Sequence, residues 1–171
     1  IAVLTSNLGL NGELARCDLS HLGLGLSDKP QDGLAMEVDK PNKNLGGGRL
    51  VAGGDLRVIA GDEALANAKV DFIKIDVEGF ELDVLSGLTQ PVPLLSVEYL
   101  PALPDQTIAV INRLQQLGPY QFNPVQGEAG HFLWSTWRTA ADTVAWLHSL
   151  PPGARNCLAS LLPDLGEPAP L

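Results

Sequence analysis

The chain has 171 residues, 45% of them hydrophobic, which is enough for one domain with a buried core but not for two full domains. Its formal net charge of −9 argues against nucleic acid as a partner, because nucleic-acid binding depends on Lys and Arg side chains that neutralise phosphates. The sequence shows neither a run of roughly 20 apolar residues nor a basic-then-apolar signal segment, so we expect a cytoplasmic protein without a membrane partner.

The first third of the chain predicts short elements separated by turns. Residues 1–11 show the apolar spacing of a helix end. Short apolar runs predict strands at 14–19, 22–26 and 34–38. Residues 40–54 contain five glycines, two asparagines and two lysines, so they predict a mobile loop outside the core. This loop lacks the GxGxxG spacing of a dinucleotide-binding turn.

The middle of the chain has the clearest pattern. Residues 56–60 predict a strand, and 62–68 predict a short helix. The apolar run 70–75 predicts a strand covered on both faces, and the apolar residues of 80–87 recur at helical spacing. A second buried strand is predicted at 94–99. The strand, helix and strand form a βαβ unit, whose crossover makes its two strands parallel.

The last third of the chain predicts helices around a hairpin. Residues 107–117 form an amphipathic pattern that ends at Gly-Pro. Two runs at 120–125 and 131–137 predict an antiparallel hairpin, because a short polar and Gly-rich segment separates them. Helices are predicted at 140–150 and 154–162, and the Pro-rich end is expected to fray.

Carboxylates stand where the two strands of the βαβ unit end. Asp76 follows the first strand, Glu78 lies in the turn after it, and Glu98 lies at the end of the second strand. Open α/β sheets place their ligand crevice outside the carboxyl ends of the strands, so we interpret Asp76 as ligand-facing. Glu78 has a structural alternative, since an acidic residue near a helix start interacts with the helix dipole. For Lys74 we favour a structural role.

The segment that joins the strand to the helix resembles a known signature. Residues 73–87, Ile-Lys-Ile-Asp-Val-Glu-Gly-Phe-Glu-Leu-Asp-Val-Leu-Ser-Gly, are similar to the signature segment of the FkbM-type family of S-adenosylmethionine-dependent methyltransferases. Weaker similarities flank it in the order that the family shows, at 7–12, 25–28, 44–48, 94–99 and 131–137. The resemblance covers residues 4–138, and its long central segment is the specific part.

The resemblance implies an α/β, Rossmann-like class I methyltransferase fold, with a mostly parallel sheet and a carboxyl-terminal antiparallel hairpin. It makes 1–138 the carboxyl-terminal part of a methyltransferase domain and 139–171 a helical tail packed on that domain. It also implies that the first one or two strands, with the turn that holds the cofactor's methionine part, lie before Ile1. We therefore expect the 171 residues alone to bind S-adenosylmethionine weakly or not at all, which calorimetric titration tests.

The resemblance also implies a reaction and a set of site residues. The reaction is methyl transfer to the hydroxyl of a small-molecule or glycan acceptor, which needs an aligned acceptor and a group that takes its proton. Asp76 is the first candidate for that catalytic role, followed by Glu78 and Glu98. Ser27 and Asp28 resemble the family's segment near the adenine of the cofactor, and a simple turn is an equally weighted alternative.

Other functions remain open at this point. A truncated or degenerate methyltransferase fold would act as a non-catalytic scaffold or partner-binding module. A weaker alternative is a carboxylate–metal enzyme in which Asp76, Glu78 and Glu98 hold a divalent cation through oxygen ligands. The sequence leaves a homo-oligomer open and does not identify the acceptor, because loops choose acceptors and these loops show composition only.

Overall fold

A computed structural model describes residues 2–21, 24–38, 48–66, 68–77, 79–99, 103–126, 130–151 and 159–164. Within these ranges the strands are β1 (Gly25–Ser27), β2 (Gln31–Val38), β3 (Gly48–Ala52), β4 (Leu56–Ala60), β5 (Phe72–Ile75), β6 (Leu94–Tyr99), β7 (Gln121–Gln126) and β8 (Ala159–Asp164). The helices are α1 (Ala2–Leu10), α2 (Gly61–Leu65), α3 (Glu81–Ser86), α4 (Pro104–Leu117) and α5 (Ala140–Ser149), with a 3-10 turn at Leu14–Arg16. The strands form two four-stranded sheets, in the orders β1-β4-β2-β3 and β5-β6-β8-β7.

The predicted βαβ unit is confirmed as β5, α3 and β6. The two strands are parallel, and Phe72 to Ile75 lie opposite Leu94 to Val97. β6 lies inside its sheet between β5 and β8, which explains why its side chains form a nearly continuous buried run. The order of strand, helix and strand is as predicted, but the prediction that the first strand is covered on both faces is wrong, because β5 is an edge strand of the described sheet and Phe72 is 49% exposed.

Helices α3, α4 and α5 bury the core of this second sheet. The described residues that are completely inaccessible to solvent come from both layers: Leu85 of α3, Leu95 and Val97 of β6, Ile111 and Leu114 of α4, Phe122 of β7 and Thr143 of α5. α4 starts at a proline, whose fixed φ suits the first turn of a helix and whose missing N–H has no helical partner there. α4 therefore begins before the predicted start at 107.

The amino-terminal part corrects two predictions. The predicted strand 14–19 is wrong, because the chain forms a 3-10 turn at Leu14–Arg16 with no buried residue to anchor a strand. Part of the predicted loop 40–54 is a strand, since β3 pairs with β2 from Gly48 to Ala52. Glycines lower the local propensity for a strand, but pairing with an existing strand overrides that preference. Residues 39–47 lie outside the described part of the chain.

The carboxyl-terminal hairpin has a different partner from the predicted one. β7 pairs antiparallel with β8, whereas the segment 131–137 contacts β7 through isolated bridges. The side chain of Asn123 explains the difference, because its amide donates to the Trp134 carbonyl at 2.9 Å and accepts from the Trp134 N–H at 3.1 Å. Side-chain bonds thus replace the ladder that a closing strand would need. The predicted helix 154–162 is also wrong where described, because Ala159–Asp164 is a strand.

The α/β class is confirmed, but the sheets are mixed. Two strand pairs are parallel, β1 with β4 and β5 with β6. Four are antiparallel, β2 with β3, β2 with β4, β6 with β8 and β7 with β8. The expectation of a mostly parallel sheet is therefore not met among the described residues. In the same part of the chain, no helix has the length and apolar character required to cross a bilayer.

The carboxyl end of α3 packs directly onto the first sheet. Gly87 follows α3, and a Cβ at that position would collide with the backbone carbonyl of Ser27 and the backbone nitrogen of Gly61. The Gly87 carbonyl in turn accepts the N–H of Asp62 at 2.9 Å. The missing side chain therefore lets backbone meet backbone where α3 joins β1 and α2.

We expect Tyr120→Phe to lower the free energy of unfolding by about 1–3 kcal/mol. The Tyr120 hydroxyl is buried, donates to the Val92 carbonyl at 2.6 Å and accepts from the Val92 N–H at 2.9 Å, so its removal leaves two buried backbone groups without partners. Urea denaturation measures the change. Tyr99→Phe is the matched control, because no described residue hydrogen bonds to the Tyr99 hydroxyl. Equal destabilisation by the two variants would contradict this assignment.

Candidate functional site

An acidic turn joins β5 to α3. β5 ends at the buried residue Ile75, and the turn after it passes through Gly79 at a φ of 100°. A residue with a Cβ is strained at this left-handed φ, so the turn requires glycine. The N–H of Gly79 donates to Oε1 of Glu81 at 3.0 Å, which ties the turn to the first residue of α3. The chain thus passes from a buried strand to an acidic helix start within a few residues.

The register of the parallel strands brings Asp76 and Glu98 together. Ile75 lies opposite Val97, so the residues that follow them lie side by side at the carboxyl edge of the sheet. The side chains of Asp76 and Glu98 form a hydrogen bond, and Nζ of Lys74 lies 2.7 Å from Oδ2 of Asp76. This geometry fits the structural role that we expected for Lys74.

The pKa of Asp76 follows from its surroundings. The bond from Lys74 holds the pKa of Asp76 below its usual value of 3.8, burial opposes this effect, and the contact with Glu98 adds to it. Asp76 is therefore ionised at neutral pH, and its charge lies beside the Lys74 ammonium group.

A cavity of about 340 Å³ opens next to Glu98. Its walls come from the turn at Gly79, the first residues of α3, the end of β6 and the amino-terminal half of α4. The charged residues that line it are all acidic: Glu81, Asp83, Glu98 and Asp105. Apolar side chains, among them Leu82 and Val110, complete the wall. The cavity is at the lower end of the range for small-molecule sites.

Tyr99 also lines the cavity and is 7% exposed. Its ring meets Trp146 of α5 edge to face, with 6.4 Å between the ring centroids. Burial raises the pKa of the Tyr99 hydroxyl, and no described residue lies within hydrogen-bonding distance of it. A buried hydroxyl without a partner is uncommon in folded proteins, where most buried polar groups are paired.

Ser27 and Asp28, the candidates for cofactor binding, lie elsewhere. Ser27 ends β1, its hydroxyl donates to Oδ1 of Asp28 at 3.2 Å, and Asp28 pairs with Lys29 at 3.6 Å. The Ser27 carbonyl packs on Gly87 at the carboxyl end of α3, whereas the cavity lies at the amino end of that helix. α3 has six residues and is roughly 9 Å long, so the structure does not bring these residues together with Asp76 and Glu98.

The third predicted catalytic residue, Glu78, lies outside the described residues. The described part of the chain contains no group of three or more His, Cys, Asp and Glu residues with an arrangement suited to a metal ion. Of the three predicted catalytic residues, the structure therefore describes Asp76 and Glu98.

Sequence reasoning missed three residues of the cavity wall. It assigned no site role to Asp83, Tyr99 or Asp105. A signal for Asp105 was present, because it follows the proline that begins α4. No sequence signal marks the Tyr99 hydroxyl, which has no hydrogen-bond partner in the described part of the chain, since the partners of a buried group come from distant parts of the chain.

The arrangement suits a polar acceptor more than a nucleophilic reaction by the protein. Glu98 faces the cavity, and its carboxyl group is linked to the ionised Asp76. Such a pair accepts a hydrogen bond from a hydroxyl group and receives its proton when that oxygen forms a new bond. The side chain of Asp76 is 40% exposed, so the pair is accessible from solvent.

Comparison with known proteins places the chain in a family. The sequence profile of the methyltransferase FkbM domain matches residues 55–150, which is more than half of the chain and includes β5, α3, β6 and α4. No match was found among curated proteins or among solved structures. The matched range contains Asp76, Glu98 and every residue that lines the cavity. The chain therefore belongs to the FkbM methyltransferase family.

Proposed function

We propose that the protein transfers a methyl group from S-adenosylmethionine to a hydroxyl group of a small molecule or sugar. The observation that carries the proposal is the hydrogen-bonded pair of Asp76 and Glu98, which stands at the ends of two parallel strands beside a cavity. Membership in the methyltransferase family supplies the reaction class. The parallel β5-α3-β6 unit supports the Rossmann-like part of the fold, and composition alone supports a cytoplasmic location.

The residues of the chain act on the acceptor in this proposal. Methyl transfer forms a bond between the acceptor oxygen and the methyl carbon, breaks the bond between that carbon and the donor sulfur, and releases the hydroxyl proton. Glu98 lines the cavity and accepts the hydrogen bond of the acceptor hydroxyl, which aligns the oxygen. The ionised carboxylate of Asp76, which contacts Glu98, takes up the released proton. Lys74 holds the Asp76 carboxylate in place.

The described residues do not assemble a cofactor site around the cavity. The carbonyl of Ser27 packs at the other end of α3, and the side chain of Asp28 is paired with Lys29. When bound, S-adenosylmethionine would supply the electrophilic methyl group. We therefore assign the cavity to the acceptor and leave the roles of Ser27 and Asp28 as predictions.

The same separation favours one alternative, a methyltransferase fold that serves as a scaffold. In this alternative the domain keeps the methyltransferase fold, but the predicted cofactor residue Ser27 and the pair of Asp76 and Glu98 lie at opposite ends of α3 and do not form one active site. This alternative predicts that the full-length protein neither binds S-adenosylmethionine nor transfers its methyl group.

Calorimetry and a transfer assay on the full-length protein test the proposal against that alternative. We expect S-adenosylmethionine to bind with a Kd between roughly 1 μM and 1 mM, the usual range of enzyme substrates. With the methyl-tritiated cofactor and a panel of monosaccharides and small alcohols, we expect label to enter a hydroxyl group. Absence of both binding and transfer would establish the scaffold instead.

A further inference from the structure

The cavity has an excess of negative charge that the described basic residues do not neutralise. Glu81, Asp83 and Asp105 form no ion pair with any described basic residue. Lys74, which precedes the cavity residues in the sequence, forms an ion pair with Asp76. Arg113 of α4 donates to the carbonyls of Leu85 and Leu88, at the other end of α3.

Helix dipoles compensate only part of this charge. The amino ends of α3 and α4 contribute at most about half a positive charge each, so together they supply about one. Against this stand the three carboxylates of Glu81, Asp83 and Asp105, whereas the charge of Asp76 is paired with Lys74. Stabilisation of helix starts therefore accounts for some of the acidic residues, and a negative field remains in the cavity.

The Tyr99 hydroxyl is a second and independent sign of a ligand. Both tyrosines of the chain are buried, and among the described residues a partner is found only for the hydroxyl of Tyr120, which both backbone groups of Val92 satisfy. Tyr99 is 7% exposed, lines the cavity and has no hydrogen-bond partner among the described residues. A buried hydroxyl without a partner costs free energy that a ligand in the cavity would recover.

We infer that the cavity binds an organic cation, an amine-bearing molecule about the size of a monosaccharide, whose ammonium group lies among the carboxylates and whose polar atoms reach the Tyr99 hydroxyl. The cavity volume of about 340 Å³ and the apolar side chains of Leu82 and Val110 suit the carbon skeleton of such a molecule. The inference rests on the proposed function in one respect, because it names the acceptor class as hydroxylated amines.

A pair of sugars that differ in charge tests this inference. Titration of the full-length protein with D-glucosamine and with its neutral N-acetyl derivative, followed by amide NMR shifts, reports binding without any methyl donor. We expect glucosamine to bind at least about tenfold more tightly and to shift the amides of 79–83 and 105–110. Equal affinity of the two sugars, or no binding of glucosamine, would overturn the inference.

Two double variants test whether binding depends on the charges of the cavity wall or on the net charge of the protein. Asp83→Asn/Asp105→Asn removes two negative charges from the cavity wall, and Asp55→Asn/Asp71→Asn removes two from exposed positions that do not line it. We expect the first to weaken glucosamine binding about tenfold and the second to leave it unchanged. Tyr99→Phe is expected to weaken binding severalfold while the fold is retained. Equal effects of the two double variants would place the binding elsewhere.

The experiments distinguish a failure of the cation site from a failure of the proposed methyl transfer. Glucosamine binding without any methyl transfer to any acceptor would overturn the proposed function and leave the cation site standing. Methyl transfer to neutral sugars as readily as to amine-bearing ones would overturn the cation site and leave the proposed function standing.

Discussion

We expect the Asp76→Asn variant of the full-length protein to lose methyl-transfer activity by about 10²-fold to 10⁴-fold in kcat. The asparagine keeps the shape of the side chain but removes the negative charge that the pair with Glu98 uses to take up a proton. The ion pair with Lys74 is exposed, so its loss costs little stability and the variant folds. A tritium-transfer assay with kcat and KM determined separately measures the effect. Asp71→Asn, an exposed position just before β5, is the matched control.

Two further variants show whether Asp76 and Glu98 act as one unit. Residues that act as a unit have non-additive effects, so Asp76→Asn/Glu98→Gln should be no less active than the worse single variant. Lys74→Gln removes the main cause of the lowered pKa of Asp76, so that pKa rises towards its usual value of 3.8. Asp76 is charged above its pKa, and the acid limb of the profile of kcat/KM against pH therefore moves to higher pH in this variant. Full activity of the double variant would remove the pair from the mechanism.

We expect Phe122→Ala to lower the free energy of unfolding by about 3–5 kcal/mol. Phe122 of β7 is completely buried, among side chains of the sheet and the helices, and the deletion leaves a cavity in a close-packed core. Since single domains are stable by about 5–15 kcal/mol, this loss leaves the protein close to unfolding at room temperature.

Phe72→Ala is the control for the core variant. Phe72 lies on the edge strand β5 and is 49% exposed, so its truncation should cost less than about 1 kcal/mol. Urea denaturation with an unchanged m value compares the two variants under two-state conditions. Similar losses at both positions would show that the core does not lie between the second sheet and its helices.

The sequence predicted the parts of the structure whose causes are local. The apolar runs at 70–75 and 94–99 and the helical spacing between them predicted the βαβ unit, and with it the proximity of Asp76 and Glu98. The strand β8 was missed because its residues form a strand only by pairing with both β6 and β7, which no local pattern records. The open segment 131–137 was missed because one side chain, that of Asn123, replaces its ladder.

In the candidate site, too, the sequence predicted what depends on local pattern and missed what depends on packing. The two carboxylates follow from where strands end, and the flanking Ser27 and Asp28 follow from a resemblance, but their separation by α3 depends on packing. No described residue hydrogen bonds to the Tyr99 hydroxyl, and this property was not predictable because it depends on which distant residues surround the side chain.

The contact at Gly87 anchors α3 at the end that lies away from the cavity. A Cβ at Gly87 or at Gly61 would collide with its neighbours there, and the carboxylate of Asp62 accepts the N–H and the hydroxyl of Thr89 at 3.0 and 2.6 Å. At the other end of the helix, Leu82 and Asp83 line the cavity and take no part in these contacts. A substitution at Leu82 or Asp83 therefore changes the cavity wall without changing the atoms that anchor the helix.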